Sequence, residues 1–237
     1  VVNLSSPESR VSMPDYRGTH GAGFDTGEWF DRMIAAFAEP LAADGKVLYV
    51  RDFSYTADIQ SDVLAAVSRA GPHVRASIKV TAHDYFPRAA NNPALSLMVE
   101  GDCVEFDAFG EPTGWGINPN CRVAEFSARM DFCRKHGAHG LLVRTSWEAI
   151  AGANALDTSA AMNVFALPRL LSGNPAPKTL ILDWLAAAFS LDGRAAATLA
   201  ELFLQSWRIP AAAYWAGEVF PRHSCLPSTW EQGWMSM

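Results

Sequence analysis

Residues 78–84 of this chain read Ile-Lys-Val-Thr-Ala-His-Asp, a β-branched run that ends in ionisable residues. Residues 110–115 read Gly-Glu-Pro-Thr-Gly-Trp and place a second carboxylate, Glu111, after another such run. Helix-like sequence follows each segment. In an α/β barrel the carboxyl ends of the strands form the face on which enzymes build their sites. The sequence therefore predicts that Lys79, Asp84 and Glu111 meet on one face, a layout suited to acid–base chemistry on a polar substrate.

Five short runs are typical of buried parallel strands, because they are rich in Val, Ile and Leu with little polar alternation. They cover residues 1–4, 46–53, 75–81, 103–107 and 140–146. Helical segments are predicted between them, over residues 26–42, 61–69 and 123–136. The first helix has an apolar stripe at spacings of three and four, formed by Trp29, Phe30, Met33, Ile34 and Phe37. This alternation of strands and helices predicts an α/β fold.

The regular rhythm and the polar strand ends favour a (β/α)8 TIM barrel over an open sheet. No GxGxxG follows a strand and no Walker sequence is present, which argues against a nucleotide-binding sheet. Five strands make only part of an eight-stranded barrel, and Val1 already lies in a strand-like run. We therefore expect a fragment, the C-terminal portion of a TIM barrel whose first strands precede this chain.

From about residue 159 the pattern becomes helical throughout. Three Ala- and Leu-rich segments cover residues 160–171, 178–189 and 194–207, with breaks at 173–175 and 192–193. The predicted organisation is a partial TIM-barrel catalytic domain over residues 1–172, followed by a helical C-terminal region over residues 173–237.

The composition of the chain argues against two classes of binding partner, nucleic acids and membranes. The net charge of −6 argues against a nucleic-acid partner, which would need a basic face. The apolar runs are too short to span a membrane. The four cysteines have neither CxxC pairing nor zinc-type spacing to histidine, so we expect reduced core thiols in a cytoplasmic protein. These four residues are Cys103, Cys121, Cys133 and Cys225.

Three carboxylates follow predicted strand ends: Glu8, Asp84 and Glu111. Hydrolysis of a glycosidic bond normally takes a carboxylic acid that protonates the leaving oxygen and a carboxylate on the other face. A single carboxylate in such a position can equally be a helix N-cap or half of a surface ion pair. Three together with two cations favour a catalytic site.

The two cations are Arg51 and Lys79, each near a strand end in an apolar run. A buried cation needs an anion. That anion can be a neighbouring carboxylate such as Asp84 or Asp52, or it can be the carboxylate of a substrate, for which Arg offers a bidentate fork. The two interpretations are compatible.

Histidine and tryptophan side chains allow further roles. His83 with Asp84 imitates part of a metal-binding barrel, but no HxH accompanies it, and ordinary hydrogen bonding is the favoured role of His83 and His20. Trp115 and Trp147 follow strand ends, where an aromatic face can stack on a sugar ring. No metal or other cofactor is predicted.

Several of these motifs resemble the α-glucuronidases of glycoside hydrolase family 67. That family has an acid glutamate followed eight residues later by Tyr-Gly-Arg-Thr-His, and here Glu8 is followed at the same spacing by Tyr-Arg-Gly-Thr-His at residues 16–20. An aromatic–Arg strand comes next, similar to residues 49–53. An Ile-Lys pair with an Asp-aromatic pair five residues after the Lys matches residues 78–79 and 84–85.

The resemblance continues in the same order to about residue 171. Residues 92–95 read Asn-Pro-Ala-Leu, where the family has a similar turn, and Glu105–Phe106 followed by Glu111–Pro112–Thr113–Gly114 is similar to the family's Glu-Leu-Gln and Glu-Tyr-Thr-Gly. Residues 162–170, Met-Asn-Val-Phe-Ala-Leu-Pro-Arg-Leu, look like its Ala-Asn-x-Tyr-Ala-x-x-Arg-Leu helix.

The resemblance implies a role for each matching residue. Glu8 would be the general acid, and Asp84 and Glu111 would activate water. Arg51 and Lys79 would hold the uronate. We expect Arg17, His20 and Trp115 to complete the substrate-binding set, although Trp115 stands where the family has Gln and is selected for its position after a strand end. Enzymes of this family act in xylan degradation: they invert the anomeric configuration and release glucuronic acid, or its 4-O-methyl ether, from xylo-oligosaccharides without a cofactor.

Two other functions stay open. One is a non-catalytic carbohydrate-binding or scaffolding barrel whose acidic residues are ion-pair partners. The other is a metal-dependent barrel hydrolase that uses His83 and Asp84. For the glycoside hydrolase the expected partner is an oligosaccharide substrate, with no nucleic acid and no membrane, and a homodimer is left open.

Overall fold

A computed structural model of the chain describes residues 2–5, 25–52, 57–81, 85, 89–110, 119–146 and 154–214. The strands are β1 (Val2–Ser5), β2 (Leu48–Asp52), β3 (Val74–Lys79), β4 (Cys103–Asp107) and β5 (Gly140–Arg144). The helices are α1 (Thr26–Ala43), α2 (Ala57–Arg69), α3 (Val123–Lys135), α4 (Ala161–Ser172), α5 (Pro177–Phe189), α6 (Gly193–Ser206) and α7 (Arg208–Tyr214), with short 3-10 helices at Pro93–Leu97 and Ala155–Asp157.

The five strands form one sheet in the order β1-β2-β3-β4-β5. Strands β1, β2 and β3 are parallel, and the register pairs Leu4 with Val50 and Val50 with Ala76. All five predicted strands are present, and a helix lies between β1 and β2, between β2 and β3, and between β4 and β5. The predicted α/β class is therefore confirmed, whereas closure into a barrel stays a prediction.

The chain divides into two compact units that alternate along the sequence. The first unit contains Val1–Ala82, Asn92–Val104 and His136–Gly140. The second unit contains His83–Asn91, Glu105–Lys135 and Leu141–Met237. The division of the chain between residues 172 and 173, which the sequence pattern favours, stays a prediction.

In the first unit, helix α1 packs on helix α2. The side chain of Asp25 caps α1 by accepting a hydrogen bond of 2.9 Å from the backbone N–H of Glu28. The buried face of α1 repeats every fourth residue and consists of Thr26, Phe30, Ile34 and Ala38.

This face corrects the predicted stripe of α1. Phe30 and Ile34 are buried as expected, but Trp29 and Met33 are only half-buried and Phe37 is 45% exposed. The buried residues are spaced by four along the helix and therefore form one row on its surface. The larger side chains at positions 29, 33 and 37 lie beside this row and not within it. The small residues Thr26 and Ala38 take the central positions instead.

In the second unit, α3 packs on α4 and α5, and α5 packs on α6. Phe106 of β4 contacts Phe126 of α3 edge to face, with ring centroids 5.2 Å apart. Trp184 of α5 lies against Phe203 of α6 in the same manner, at 5.8 Å. The predicted helices over residues 160–171, 178–189 and 194–207 are confirmed by α4, α5 and α6.

Three of the cysteines are buried and carry free thiols, as predicted: Cys103, Cys121 and Cys133. Cys225 lies outside the described residues. None of the helices in the described part of the chain is both long enough and apolar enough to cross a membrane.

Candidate functional site

The structure describes two of the eight predicted site residues, Arg51 and Lys79. The other six lie outside the described residues, and they are Glu8, Arg17, His20, Asp84, Glu111 and Trp115. His83 and Trp147 also lie outside that part of the chain. The described residues nearest to the six others are the strand ends and the segments that flank them.

In the first unit, Arg51 and Lys79 lie on one face of the sheet. The register places Arg51 of β2 directly beside Ser77 of β3, and Lys79 follows Ser77 by two residues. Side chains alternate along a strand, so all three point to the same side. Lys79 is the last residue of β3 and is only 4% exposed. The predicted position of both cations near carboxyl ends of strands is confirmed.

Ser77 lies between these cations and has an unusual environment. Its side chain is fully buried, and its hydroxyl oxygen has no hydrogen-bond partner among the described residues. An unsatisfied buried hydroxyl is costly and often marks the place of a water or a ligand atom. Ser77 is not among the predicted site residues, because a single serine in a strand carries no motif.

Tyr49 lies on the same face of β2, two residues before Arg51. The hydroxyl of Tyr49 donates a hydrogen bond of 3.2 Å to the carbonyl oxygen of Gly101. Burial, followed by its hydrogen bond with Cys103, raises the pKa of Tyr49 to about 12. Burial likewise raises the pKa of the Cys103 thiol. The side chains of Tyr49 and Cys103 are therefore both protonated at neutral pH.

Asp52 ends β2 with its carboxylate on the opposite face from Arg51, since neighbours in a strand point to opposite sides. Its Oδ2 accepts hydrogen bonds from Gln60 Nε2 at 2.5 Å and from Asn92 Nδ2 at 3.1 Å. Asn92 in turn caps the 3-10 helix at Pro93–Leu97 through its Oδ1. Asp52 thus fastens the end of β2 to helix α2 and to the segment that leads into β4.

A cavity of about 570 Å³ opens in the first unit at the amino end of β3. Its walls include Leu64, Val67, Leu97 and Val99, and Arg75 and Asp102 are its charged residues. This is the wrong end of the strand for the predicted site, which needs the carboxyl ends.

In the second unit, β4 carries two buried carboxylates, Glu105 at 5% and Asp107 at 1% exposure. Glu105 accepts a hydrogen bond from the hydroxyl of the buried Tyr85. Asp107 accepts from the backbone N–H groups of Phe109 at 3.0 Å and Gly110 at 3.2 Å. Gly110 has a φ of 82°, which favours glycine. Asp107 therefore shapes the turn that leads towards Glu111.

The only sequence signal for the two buried carboxylates of β4 is that they are acidic residues in an otherwise apolar run. Glu105 and Tyr85 both fall within the family resemblance, but neither is a predicted site residue. Their contact joins residues that are twenty positions apart, and no local pattern predicts such a pair.

A buried ionic network lies at the start of α3. Arg122 is 1% exposed and forms a bidentate pair with Glu125, with Nε–Oε2 at 2.8 Å and Nη2–Oε1 at 2.9 Å. Glu125 Oε1 also accepts from Arg129 Nε at 2.8 Å. Among the described residues, Nη1 of Arg122 has no hydrogen-bond partner.

The pKa values of Arg122 and Glu125 are both shifted in the direction that favours the charged form. Burial opposes the charged forms of Arg122 and Glu125. For Glu125, the adjacent guanidinium groups of Arg122 and Arg129 outweigh burial and lower the pKa of its carboxyl. For Arg122, the carboxylates of Glu125 and Asp107 outweigh burial, and its pKa is raised. Arg122 and Glu125 are therefore both charged at neutral pH.

Arg129 connects this network to the segment that follows β3. Its Nη1 donates to Asn91 Oδ1 and its Nη2 donates to the carbonyl oxygen of Ala89, both at 2.7 Å. A guanidinium group offers several donors in one plane, so one side chain can hold the helix and the segment together.

Asn163, in the first turn of α4, is completely buried. Its Nδ2 donates to the carbonyl oxygens of Ala108 at 3.3 Å and Asn120 at 3.0 Å. Its Oδ1 accepts from the backbone N–H of Arg122 at 3.0 Å. One side chain therefore joins the two flanks of the segment that contains Glu111 and Trp115.

Within the described residues, no group of three or more His, Cys, Asp or Glu side chains is placed so that it could hold a metal ion. The pair that the metal-dependent alternative would use, His83 and Asp84, lies outside them. No model of a known protein family matches the chain, and no curated protein matches it.

Proposed function

We propose that the chain is a glycoside hydrolase similar to the α-glucuronidases, which cleaves a glycosidic bond to a uronic acid on xylo-oligosaccharides or a related glycan. The observation that carries the proposal is the pair of cations, Arg51 and Lys79, on one face of the sheet near the carboxyl ends of β2 and β3. Lys79 is buried there. In a barrel this is the face on which enzymes build their sites, and two cations on it suit a substrate that carries a carboxylate.

The proposed architecture is the C-terminal portion of a (β/α)8 barrel. The sheet order follows the chain order, which is the arrangement that successive βα units give in a barrel. A doubly wound sheet has a switch point at which the strand order reverses. Among the five described strands the order runs in one direction, which supports the barrel.

The proposed mechanism is a single displacement. Glu8 protonates the leaving oxygen, while Asp84 and Glu111 hold and deprotonate a water on the opposite face of the sugar. Arg51 and Lys79 bind the uronate carboxylate, and Arg17, His20 and Trp115 contact the sugar. Two carboxylates that share one water titrate together, so their pH dependence belongs to the pair.

The test is hydrolysis of aldouronic acids by the wild-type chain and by Asp84→Ala and Glu111→Ala. We expect measurable turnover for the wild type and a loss of about 10²-fold or more for each variant, the contribution that general acid–base catalysis makes. Proton NMR of the first-formed product should show inversion at the anomeric carbon. Wild-type turnover in both variants would contradict the assignment.

Two controls separate the other functions. Calorimetric titration with the same oligosaccharides distinguishes an enzyme from a binding module, because binding without bond cleavage would favour the non-catalytic barrel. Activity that persists after treatment with a chelator would exclude the metal-dependent hydrolase.

A further inference from the structure

We infer that the cavity at the amino end of β3 binds a small amphipathic anion, a molecule with one carboxylate group and an aliphatic body. The cavity has a volume of about 570 Å³. Sites that take small molecules have volumes of about 300–1,000 Å³, apolar walls and a few polar groups that orient the ligand. All the residues that line this cavity belong to the first unit. The inference goes beyond the proposed function and does not depend on it.

The cavity is separate from the proposed hydrolytic site. Arg75, the cation that lines it, stands four residues before Lys79 in β3. A strand rises about 3.3 Å per residue, so roughly 13 Å of strand separate the two positions. The cavity therefore lies at the opposite end of β3 from Lys79.

The walls of the cavity are mostly apolar. Leu64 and Val67 line it from α2, and Leu97 and Val99 line it from the segment that leads into β4. Leu97 is 65% exposed and Val99 is 59% exposed, whereas Leu95 in the same segment is completely buried. Large apolar side chains that stay exposed beside a cavity are typical of a binding surface. An aliphatic ligand body would cover them.

Arg75 supplies the positive charge. It is half-buried, and its Nη1 donates a hydrogen bond of 2.9 Å to the carbonyl oxygen of Val74. A guanidinium group has five N–H donors, so most of them stay available for a ligand. The chain makes room for this side chain at Gly101, which has a φ of 97°, because a Cβ there would overlap the Nε and Cδ atoms of Arg75.

Asp102, the other charged residue of the cavity, is engaged by the backbone. Its Oδ1 accepts a hydrogen bond of 2.8 Å from the N–H of Ala76, and its Oδ2 accepts one of 2.9 Å from the N–H of Val99. These donors stabilise its negative charge and fasten β3 to the segment that leads into β4. None of the ion pairs among the described residues includes Arg75. Charge complementarity therefore favours an anionic ligand.

The experiment measures the binding of octanoate, and of its neutral counterpart octan-1-ol, to the full chain. Arg75→Met removes the charge and keeps a long side chain, and Leu97→Ser removes part of the apolar wall. Arg32→Met is the control for the first variant, because Arg32 is exposed and pairs with Glu28 outside the cavity. Leu156→Ser is the control for the second, since Leu156 is also 65% exposed and also lies in a 3-10 helix. Titrations followed by NMR of the backbone amides give each Kd and locate the bound probe.

We expect octanoate to bind the wild-type chain more tightly than octan-1-ol and to shift the amide signals of Ala76 and Val99. Arg75→Met should raise the Kd of octanoate about 10-fold, the effect of losing a hydrogen bond to a charged group, and leave the Kd of octan-1-ol unchanged. Leu97→Ser should raise the Kd of both probes about 3- to 10-fold, because each loses apolar contact. Both control variants should bind the probes as the wild type does. Glucuronate, which the proposed hydrolytic site would bind, should not displace octanoate.

Four results would overturn the inference. Equal affinity for the two probes, or an unchanged Kd for octanoate in a folded Arg75→Met chain, would show that the cavity does not select an anion. Octanoate shifts confined to Lys79 and its neighbours would place the probe on the proposed hydrolytic face. Absence of binding by either probe would show that the cavity takes no such molecule. Shifts at Ala76 and Val99 that appear on raising the protein concentration without a probe would assign the cavity to a second copy of the chain. If Arg75→Met does not fold, the comparison of the two probes and the Leu97→Ser titration still decide.

Discussion

Glu125 is the residue on which the ionic network of the second unit depends, because it is the only anion in direct contact with both Arg122 and Arg129 among the described ion pairs. Removing one partner of a buried pair leaves an uncompensated charge, which costs about 3–5 kcal/mol. We expect Glu125→Gln to lower the free energy of unfolding by an amount of this order at pH 7. Urea unfolding of the two proteins measures the difference.

The same pair of proteins should show a defined pH dependence. The pKa of Glu125 is lowered in the folded chain, so its contribution to stability is complete above the ordinary value of 4.5. The contribution is lost as the pH falls through the lowered pKa, and the difference between wild type and Glu125→Gln should narrow there. Asp131→Asn, which weakens the more exposed Arg134–Asp131 pair, should change stability far less at any pH. A difference that grows towards acid pH would contradict this account.

The buried thiols give a second prediction at this scale. Burial raises the pKa of Cys121 and of Cys133 to about 12. At pH 8 only a fraction on the order of 10⁻⁴ of each thiol is then ionised, and the thiolate is the reactive form. We expect iodoacetamide to label neither residue in the folded protein and both after unfolding, as peptide mass spectrometry can show. Rapid labelling of either residue without unfolding would contradict the burial that the structure gives them.

The sequence correctly predicted that the five strands and most of the helices exist, and it assigned each of them the correct type. The apolar runs placed β4 at its observed bounds and put α1 and α3 within one residue of theirs. Helix α2 begins at Ala57 rather than at residue 61, because its first turn lacks the apolar spacing that predicts a helix. The contacts of Asn163 with Ala108 and of Arg129 with Asn91 could not be predicted, since their partners lie 55 and 38 residues away. The pairs of Glu125 with Arg122 and Arg129 have the helical spacings of three and four residues, but nothing in the sequence showed that they would be buried.

The face of α1 provides a test at the same scale. Ile34 is completely buried, whereas Phe37, which the predicted stripe also included, is 45% exposed. Truncating a buried Ile costs about 2–5 kcal/mol, while a surface substitution usually stays within about 0.5 kcal/mol. We therefore expect Ile34→Ala to lower the free energy of unfolding strongly and Phe37→Ala to change it little. If both substitutions lowered the free energy of unfolding equally, Phe37 would belong to the buried face, as the sequence predicted and the structure contradicts.

For the whole molecule, the net charge of −6 bears on the proposed substrate. A negatively charged chain repels a uronate at long range, although salt screens this repulsion beyond about 8 Å at physiological ionic strength. Affinity for an acidic sugar must then come from cations in contact with its carboxylate. Lys79 is the buried cation at the carboxyl end of β3, and this position makes it the residue through which the proposal predicts acidic-sugar specificity.

Replacing Lys79 tests whether that specificity exists. A hydrogen bond to a charged group contributes about 1.5–3 kcal/mol, so Lys79→Met should raise KM for aldouronic acids by about 10- to 100-fold. Inhibition by free glucuronate should weaken in parallel, while the weak binding of neutral xylo-oligosaccharides should stay as in the wild type. Lys46→Met is the matched control, because Lys46 is exposed and pairs only with the exposed Asp44 in the described contacts. If Lys79→Met weakened the binding of acidic and neutral sugars equally, Lys79 would support the fold of the site. The uronate would then need another cation.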